Sequence, residues 1–219
     1  MIPFGTIKTI FFDYDGTLHN SIEIYEPAFR KAYTFLVEKG VAPEKTFTKD
    51  EISHWLGYSS KEMWKQFMPD VDQDIKAESS KIIGKEMTKQ IEAKRPILYE
   101  GALETLQYLK DKGYKLVFIS NCGSNYMNAH TDLFNLDTYF SQMVCSEAFD
   151  FIPKHEMLAQ IKDQYEDDMV IIGDRHKDIE AGEKNNIYTI GCTYGFSSQE
   201  ELTESDHLID DIRELKRLF

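Results

Sequence analysis

Cysteine is scarce in this sequence, and the cysteines present form no pairs. Only three of the 219 residues are cysteine, at positions 122, 145 and 192, and they are far apart and form no CxxC motif. An odd and unpaired set argues against a disulfide framework and against a zinc site built from cysteine pairs. We therefore expect a protein of a reducing compartment and predict a cytoplasmic location.

Long apolar runs and an excess of positive charge are also absent. The longest apolar stretches, near residues 7–12 and 116–120, are of strand length and far shorter than a membrane span. Asp13 and Asp15 interrupt the only candidate for a signal peptide, so we expect no secretion. With 25 basic and 38 acidic side chains the formal net charge is −13, which disfavours nucleic acid and anionic membranes as partners.

The sequence does contain short apolar runs, most of which end in polar or glycine-bearing loops. They lie at residues 7–12, 115–120, 143–145, 169–172 and 187–190. Helical patterns separate the later runs, at residues 102–112, 154–164 and 178–184. Strands that alternate with helices predict an α/β protein with a doubly wound, Rossmann-like parallel sheet, whose ligands bind beyond the carboxyl ends of the strands.

The stretch between the first and second predicted strands has a different pattern. Tyr25, Phe29, Tyr33 and Leu36 recur at helical spacing, and no convincing strand precedes Pro96. We interpret this stretch as an inserted α-helical domain. The predicted division is therefore a core of residues 1–17 and 96–219 and a helical insert of residues 18–95.

The first predicted strand runs directly into a DYDGT turn that begins at Asp13. Asp13 and Asp15 are one residue apart, and two carboxylates beside a buried strand repel each other unless a cation intervenes. This favours one ionised carboxylate and one that carries a proton, which together supply a nucleophile and a general acid. The alternative interpretation is a plain Asp-Gly turn in which Asp13 is a local cap.

A second pair of carboxylates follows the run at residues 169–172. Asp174 comes just after Gly173, and Asp178 lies four residues further along, so the two face the same way if a helix starts nearby. With Asp13 they would form an all-oxygen site of the kind that Mg²⁺ prefers to Zn²⁺. The alternative is a helix cap at Asp174 with Asp178 as an acid of the first turn.

Two further loops offer groups that bind phosphate oxygens. Ser120 and Asn121 end the second predicted strand and supply a hydroxyl and backbone N–H groups, although most Ser-Asn pairs are turns. Lys154 follows Pro153 at the start of a predicted helix, where the helix dipole disfavours a cation. This unfavourable placement indicates another purpose, although an exposed lysine is the ordinary explanation.

The order of these motifs resembles the haloacid dehalogenase (HAD) superfamily. The matching elements are DxDGT at Asp13, Ser120, Lys154, and GDxxxD over residues 173–178, and the resemblance spans residues 7 to about 202. The helical insert between the first two motifs resembles the cap domain of the phosphoglycolate phosphatase-like branch. The resemblance implies a phosphatase acting on a small phosphorylated metabolite, as a monomer or weak homodimer.

The resemblance also implies roles for particular residues. Asp13 would attack phosphorus and form an aspartyl-phosphate, and Asp15 would protonate the leaving oxygen and then act as base for water. Mg²⁺ would be held by the Asp13 side chain, the Asp15 backbone carbonyl and Asp174, with Asp178 at or near the ion. Ser120, Asn121 and Lys154 would bind the phosphoryl group, and Asp13, Asp15, Ser120 and Lys154 form the implied catalytic set.

The segment 56–61 resembles the family's cap loop that faces the active site, although a plain Gly-Ser connection explains it equally well. Within it, Tyr58, Ser59 and Lys61 are candidates for contacts to the leaving group. The cap as a whole would exclude water and select the substrate.

The sequence departs from the family pattern at several positions. The motif lysine is more often followed by proline, whereas here Pro153 precedes Lys154 and His155 follows it, so Lys162 is a second candidate. Arg175 and His176 fill positions where small polar residues are usual.

Two other functions stay open, a phosphomutase of the β-phosphoglucomutase type and a catalytically silent binding protein on the same fold. Asp15 disfavours a dehalogenase or phosphonatase, because neither uses a second aspartate.

Overall fold

The fold is described from a computed structural model, which covers residues 2–165 and 168–219. The described residues form a six-stranded sheet in which every neighbouring pair of strands is parallel. The strands are β1 Ile7–Phe12, β2 Lys115–Ser120, β3 Gln142–Cys145, β4 Asp168–Gly173, β5 Tyr188–Cys192 and β6 His207–Ile209.

The strand order is β3-β2-β1-β4-β5-β6, so β1 lies in the middle of the sheet. The chain moves outward from β1 through β2 to β3 and then returns to the opposite side of β1 to form β4. Phe12 at the end of β1 is in register with Phe118 of β2 and Ile172 of β4. Such a reversal leaves a crevice at the carboxyl ends of the central strands, and the predicted doubly wound α/β fold is confirmed.

Nine α-helices occur within the described residues, and none of them is long and apolar enough to cross a membrane. They are α1 Ile22–Glu38, α2 Lys49–Ser53, α3 Ser60–Phe67, α4 Gln73–Glu92, α5 Ala102–Asp111, α6 Ser124–Phe134, α7 Lys154–Ile161, α8 His176–Asn185 and α9 Leu215–Leu218. Short 3₁₀ segments occupy Leu136–Thr138, Ser146–Phe149, Lys162–Gln164, Gln199–Leu202 and Ile212–Glu214.

Alternating side chains of the central strands fill two separate cores. Ile10 and Phe12 of β1 pack on one face of the sheet with Leu106 and Leu109 of α5. Phe11 packs on the other face with side chains of α7 and α8. Because β1 is covered on both faces it reads as a continuous apolar run rather than an alternating one, which is why its bounds could be predicted.

The contacts divide the chain into two compact units. One contains the chain up to Asn20 and from Leu98 onward, and the other, the insert unit, is residues 21–97; the division predicted from sequence fell after residues 17 and 95. The insert unit is helical, with α1 packed on α4. Its interior holds an aromatic cluster in which the rings of Phe29, Tyr33, Phe47 and Phe67 contact one another.

Some elements differ from the sequence prediction. The helix expected over residues 154–164 ends at Ile161, and the one expected from 178 begins at His176. Helix α6 and strand β6 were not predicted. Helix α6 has one fully buried side chain, that of His130, so its sequence lacks a clear apolar stripe, and β6 has only three residues.

Alanine substitutions at two helical glycines are expected to change the stability of the protein in opposite directions. A Cβ at Gly182 of α8 would clash with Thr189 and lie 2.9 Å from the Ile187 carbonyl oxygen, so Gly182→Ala should destabilise the protein by about 1–3 kcal/mol. Gly84 of α4 is exposed, with nothing within 4 Å, so Gly84→Ala should stabilise its helix by about 0.5–1 kcal/mol. Urea unfolding of both variants measures the difference, and equal shifts of the same sign would contradict the packing of α8 on the sheet.

Candidate active site

The end of β1 places Asp13 in the crevice between the central strands. Its backbone N–H donates to the Ile172 carbonyl at 2.9 Å, which ties the residue to the end of β4, and its side chain is buried. The following turn contains Gly16 at φ +88, and a Cβ at that position would collide with the Asp174 carboxylate. The turn therefore requires glycine for both its conformation and its closeness to Asp174.

Asp174, just beyond the end of β4, is fully buried. Its Oδ2 accepts a hydrogen bond from the Phe196 N–H at 2.7 Å. Within the described residues its Oδ1 has no hydrogen-bond partner. A Cβ at Gly195 would also clash with this side chain, so two glycines leave room for the carboxylate. A buried carboxylate oxygen without a hydrogen-bond partner costs free energy, and a bound cation would offset that cost.

Asp178 and Lys154 complete the arrangement. Asp178 lies in the first turn of α8, where its Oδ2 accepts from the Arg175 N–H at 3.0 Å. The ammonium group of Lys154, at the start of α7, donates to Asp178 Oδ1 at 2.5 Å and to Asp13 Oδ1 at 2.6 Å. Lys162, the other candidate lysine, donates instead to the Asn185 carbonyl at 3.0 Å. The structure thus brings Lys154 to the aspartates, although it lacks the usual following proline.

Asp13, Asp174 and Asp178 form what we call the carboxylate cluster, since an oxygen of each lies within 4.8 Å of the others. Burial, together with the charge of Asp178, raises the pKa of Asp13 to about 7 despite the opposing effect of Lys154. Burial and the charges of Asp13 and Asp178 also raise the pKa of Asp174 well above its usual range. Burial alone would lower the pKa of Lys154, but Asp13 and Asp178 raise it overall.

The donor set of the carboxylate cluster fits a hard divalent cation. It offers carboxylate oxygens and no nitrogen or sulfur ligand, which suits Mg²⁺. Among the described residues, the unpartnered Oδ1 of Asp174 is consistent with an ion there. A bound cation would also relieve the repulsion that raises the pKa of Asp13 and Asp174.

Asp15 has a different environment from Asp13. Its Oδ1 accepts hydrogen bonds from Tyr126 Oη at 2.7 Å and from His19 Nδ1 at 2.9 Å, the ring proton being assigned from the carboxylate partner. Burial by itself would raise the pKa of Asp15, but the hydrogen bond and charge of His19, with His130 and Tyr126, lower it overall. Relative to an ordinary aspartate, the pKa of Asp13 is therefore raised and the pKa of Asp15 is lowered.

Ser120 and Asn121 lie at the same edge of the sheet, because β2 pairs with β1. The Ser120 side chain is buried, and its hydroxyl accepts from the Cys122 N–H at 3.3 Å. The Asn121 carbonyl accepts from the Ser146 hydroxyl at 2.8 Å, which fixes the backbone of this loop. Helix α6 begins just after this loop, at Ser124, whose N–H donates to Glu147 Oε2 at 2.7 Å.

The three residues predicted to contact the leaving group belong to the insert unit. The Ser59 hydroxyl accepts from the Glu62 N–H at 3.3 Å and the Ser59 N–H donates to Glu62 Oε2 at 2.9 Å, forming a capping box at the start of α3. This local role was not predicted. The Tyr58 ring packs against the rings of His54 and Trp55, and Lys61 is exposed on α3.

Sequence reasoning gave Arg175 and His176 no role and did not identify His19 or Tyr126. Arg175 Nε donates to Glu201 Oε2 at 2.9 Å, and the His176 N–H reaches the same oxygen at 3.4 Å. These contacts hold the loop after β4 to the residues before β6. His19 was within reach of sequence analysis, since it lies just after the DYDGT turn, but Tyr126 is in a helix that was not predicted.

Fold and site together define a doubly wound α/β enzyme whose polar groups converge at the carboxyl edge of a parallel sheet. A family model described as haloacid dehalogenase-like hydrolase matches residues 10–192. The chain belongs to this family, as the motifs predicted, and it is accordingly a hydrolase.

Known relatives are similar over nearly the whole chain. A pyrophosphatase, PpaX, of Listeria welshimeri is 24% identical over 96% of this chain and 95% of its own. A phosphoglycolate phosphatase of Haemophilus influenzae is 26% identical over 95% of this chain and 96% of its own. The structure of a haloacid dehalogenase-like hydrolase from Bacteroides fragilis has a TM-score of 0.80 at 22% identity, covering 95% of this chain and 99% of that one. The predicted membership of the haloacid dehalogenase superfamily is confirmed, and a phosphoglycolate phosphatase is among the similar proteins.

Repulsion within the carboxylate cluster is expected to lower the stability of the protein when no cation is bound. Because the pKa of Asp174 is raised in the folded state, its ionised form costs stability once the pH exceeds the ordinary carboxyl pKa. Near neutral pH and with EDTA, Asp174→Asn should therefore raise Tm, by about 2–4 °C for each kcal/mol recovered. Added Mg²⁺ should raise Tm of the unmodified protein and have little effect on the variant. Differential scanning calorimetry measures both.

Asp137→Asn is the matched control, because it removes the same charge from an exposed position outside the cluster. It should leave the Mg²⁺ response unchanged. A Mg²⁺ response that survives Asp174→Asn at full size would show that the ion binds elsewhere.

Proposed function

We propose that the protein is a Mg²⁺-dependent phosphatase that hydrolyses a small phosphorylated metabolite through an aspartyl-phosphate on Asp13. The observation that carries the proposal is the contact of Asp13 with Lys154 at 2.6 Å inside a buried cluster that fits a divalent cation. Asp13, the carboxylate cluster and the candidate phosphate-binding loop all lie at the carboxyl edge of the sheet. The family and its phosphatase relatives support this assignment.

Asp13 provides the attacking oxygen. One carboxylate oxygen forms a bond to phosphorus while the bond between phosphorus and the leaving oxygen breaks, and water later cleaves the acyl phosphate. The nucleophile must be ionised, and the ammonium of Lys154, whose raised pKa keeps it charged, favours that form of Asp13. Lys154 is also placed to balance charge on the phosphoryl oxygens.

Mg²⁺ would be held by Asp13, Asp174 and the backbone carbonyl of Asp15, with Asp178 at or near the ion, and when bound it supplies positive charge that screens the nucleophile from the substrate. Asp178 also orients Lys154 through their contact at 2.5 Å. Ser120 and Asn121 contribute a hydroxyl and backbone N–H groups toward the phosphoryl oxygens.

Asp15 moves the proton. It protonates the leaving oxygen in the first half-reaction and accepts a proton from the attacking water in the second. Hydrogen bonds lower the pKa of Asp15 in the free protein, which favours its anion. A phosphoryl group beside it acts in the opposite direction, because a like charge raises the pKa of a carboxyl group. Substrate binding is therefore expected to be coupled to proton uptake by Asp15.

The insert unit is the part that we expect to choose the substrate. A helical unit placed between the first two motifs, acting as a lid, would restrict the leaving group to small molecules. The relatives named as a pyrophosphatase and a phosphoglycolate phosphatase support a small phosphorylated substrate. A panel of such compounds, assayed for phosphate release with Mg²⁺, tests the proposed function directly.

We expect Asp13→Asn to abolish phosphate release while the fold is kept, because the amide is nearly isosteric but is not a nucleophile. Asp15→Asn should form the aspartyl-phosphate from a substrate with a good leaving group and hydrolyse it slowly. Acid quenching and peptide mass spectrometry should locate phosphate on Asp13 in the second variant. Normal turnover by Asp13→Asn would rule out the covalent mechanism.

Substitutions in the insert unit should alter substrate choice more than chemistry. Lys61→Ala and Tyr58→Phe are expected to change the ranking of kcat/KM among substrates and to leave the Mg²⁺ requirement unchanged. Lys65→Ala, exposed on the same helix, is the matched control and should leave the ranking unchanged. Ser59→Ala should cost about 0.5–2 kcal/mol of stability through loss of the cap. An unchanged ranking in both Lys61→Ala and Tyr58→Phe would contradict selection by these two residues.

A further inference from the structure

Two side chains converge on one oxygen of Asp15. Tyr126 reaches Asp15 Oδ1 from α6 at 2.7 Å, and His19 reaches it from the end of the first loop at 2.9 Å. Tyr126 Oη and His19 Nδ1 are themselves 3.1 Å apart, so the three groups form a closed triangle. In the part of the chain that the structure describes, no hydrogen bond reaches the other oxygen, Oδ2.

We propose that Tyr126 and His19 are positioning residues that hold Asp15 Oδ1 and thereby assign proton transfer to Oδ2. The proposal rests on the proposed function, in which Asp15 is the acid and base. An ionised carboxylate accepts from both donors at Oδ1. A proton added to the group then goes to Oδ2, because Oδ1 already accepts two hydrogen bonds.

The surroundings of the pair support a role beyond packing. His19 is fully buried, and its ring is stacked on Tyr14 and 4.6 Å from the ring of His130. Tyr14 Oη lies 2.6 Å from His130 Nδ1. Among the described residues, Nε2 of both histidines is buried without a partner, which is costly. Apolar side chains would fill the same space without that cost, whereas only a donor at His19 can hold Asp15.

Protons and electron pairs balance in both half-reactions. In the first half-reaction the O–H bond at Asp15 Oδ2 breaks, its proton goes to the leaving oxygen, and Asp13 becomes the acyl phosphate. In the second, water gives a proton to Oδ2 and its oxygen bonds to phosphorus, while the electron pair of the broken P–O bond returns to Asp13. Tyr126 and His19 keep their protons throughout and lose no bond to Oδ1.

The decisive measurement is the dependence of kcat/KM on the leaving group. A p-nitrophenyl leaving group needs little protonation, whereas an alkyl one depends on it. We expect Tyr126→Phe to lower kcat/KM for an alkyl phosphate by about tenfold or more and to change it little for p-nitrophenyl phosphate. For the latter, kcat should still fall, because hydrolysis of the aspartyl-phosphate also uses Asp15.

Controls separate positioning from general damage. Tyr14→Phe removes the hydrogen bond between Tyr14 and His130, which does not reach Asp15, so it should lower Tm without altering the leaving-group dependence. His19→Asn keeps a donor close to the place of Nδ1 and should retain much of the activity toward alkyl phosphates, whereas His19→Leu should not. If His19→Leu fails to fold, Tyr126→Phe still decides the matter.

The outcomes distinguish this inference from the proposed function. If the unmodified protein releases phosphate from none of the substrates, the proposed function fails. If it is active and Tyr126→Phe lowers kcat/KM equally for alkyl and p-nitrophenyl phosphates, or for neither, the positioning role is overturned. A selective loss with alkyl phosphates supports it.

Discussion

The burial of three carboxylates around one lysine is the constraint on which the rest of the site depends. Asp13, Asp174 and Asp178 lie within 4.8 Å of one another, and the Lys154 ammonium contacts two of them. Burial raises the pKa of Asp13 and Asp174, so their ionised forms are unfavourable without further positive charge. The cluster therefore fits a cation, whose charge would in turn favour the anionic substrate that we propose, although the chain as a whole carries a net charge of −13.

The sheet creates this constraint by bringing distant parts of the chain to one edge. The reversal of strand order beside β1 places the loops after β1 and β4 next to each other. The backbone must then be unusually close to the Asp174 side chain, which is why Gly16 and Gly195 have no room for a Cβ. Helices α7 and α8 pack on one face of the sheet and present Lys154 and Asp178 from their first turns.

Asp13 and Asp15 are separated by a single residue, but their side chains have different surroundings. Asp13 is surrounded by charge, with Lys154 and the other members of the carboxylate cluster. Asp15 is held by hydrogen bonds from His19 and Tyr126, whose rings contact each other. In the proposed mechanism, the nucleophile Asp13 is therefore surrounded by charged groups, whereas the proton carrier Asp15 is oriented by hydrogen bonds.

The sequence alone was sufficient for the class of fold, the bounds of β1 and β2, and the strand ends that carry Asp13, Ser120 and Asp174, because apolar strand-length runs that end in polar turns are local signals. It could not choose between Lys154 and Lys162, detect helix α6, or foresee that Ser59 caps α3. Tyr126 and His19 meet at Asp15 although they are 107 residues apart in the chain. Only tertiary packing could decide such meetings, because contacts between distant residues leave no periodic pattern and depend on which faces of the sheet the helices cover.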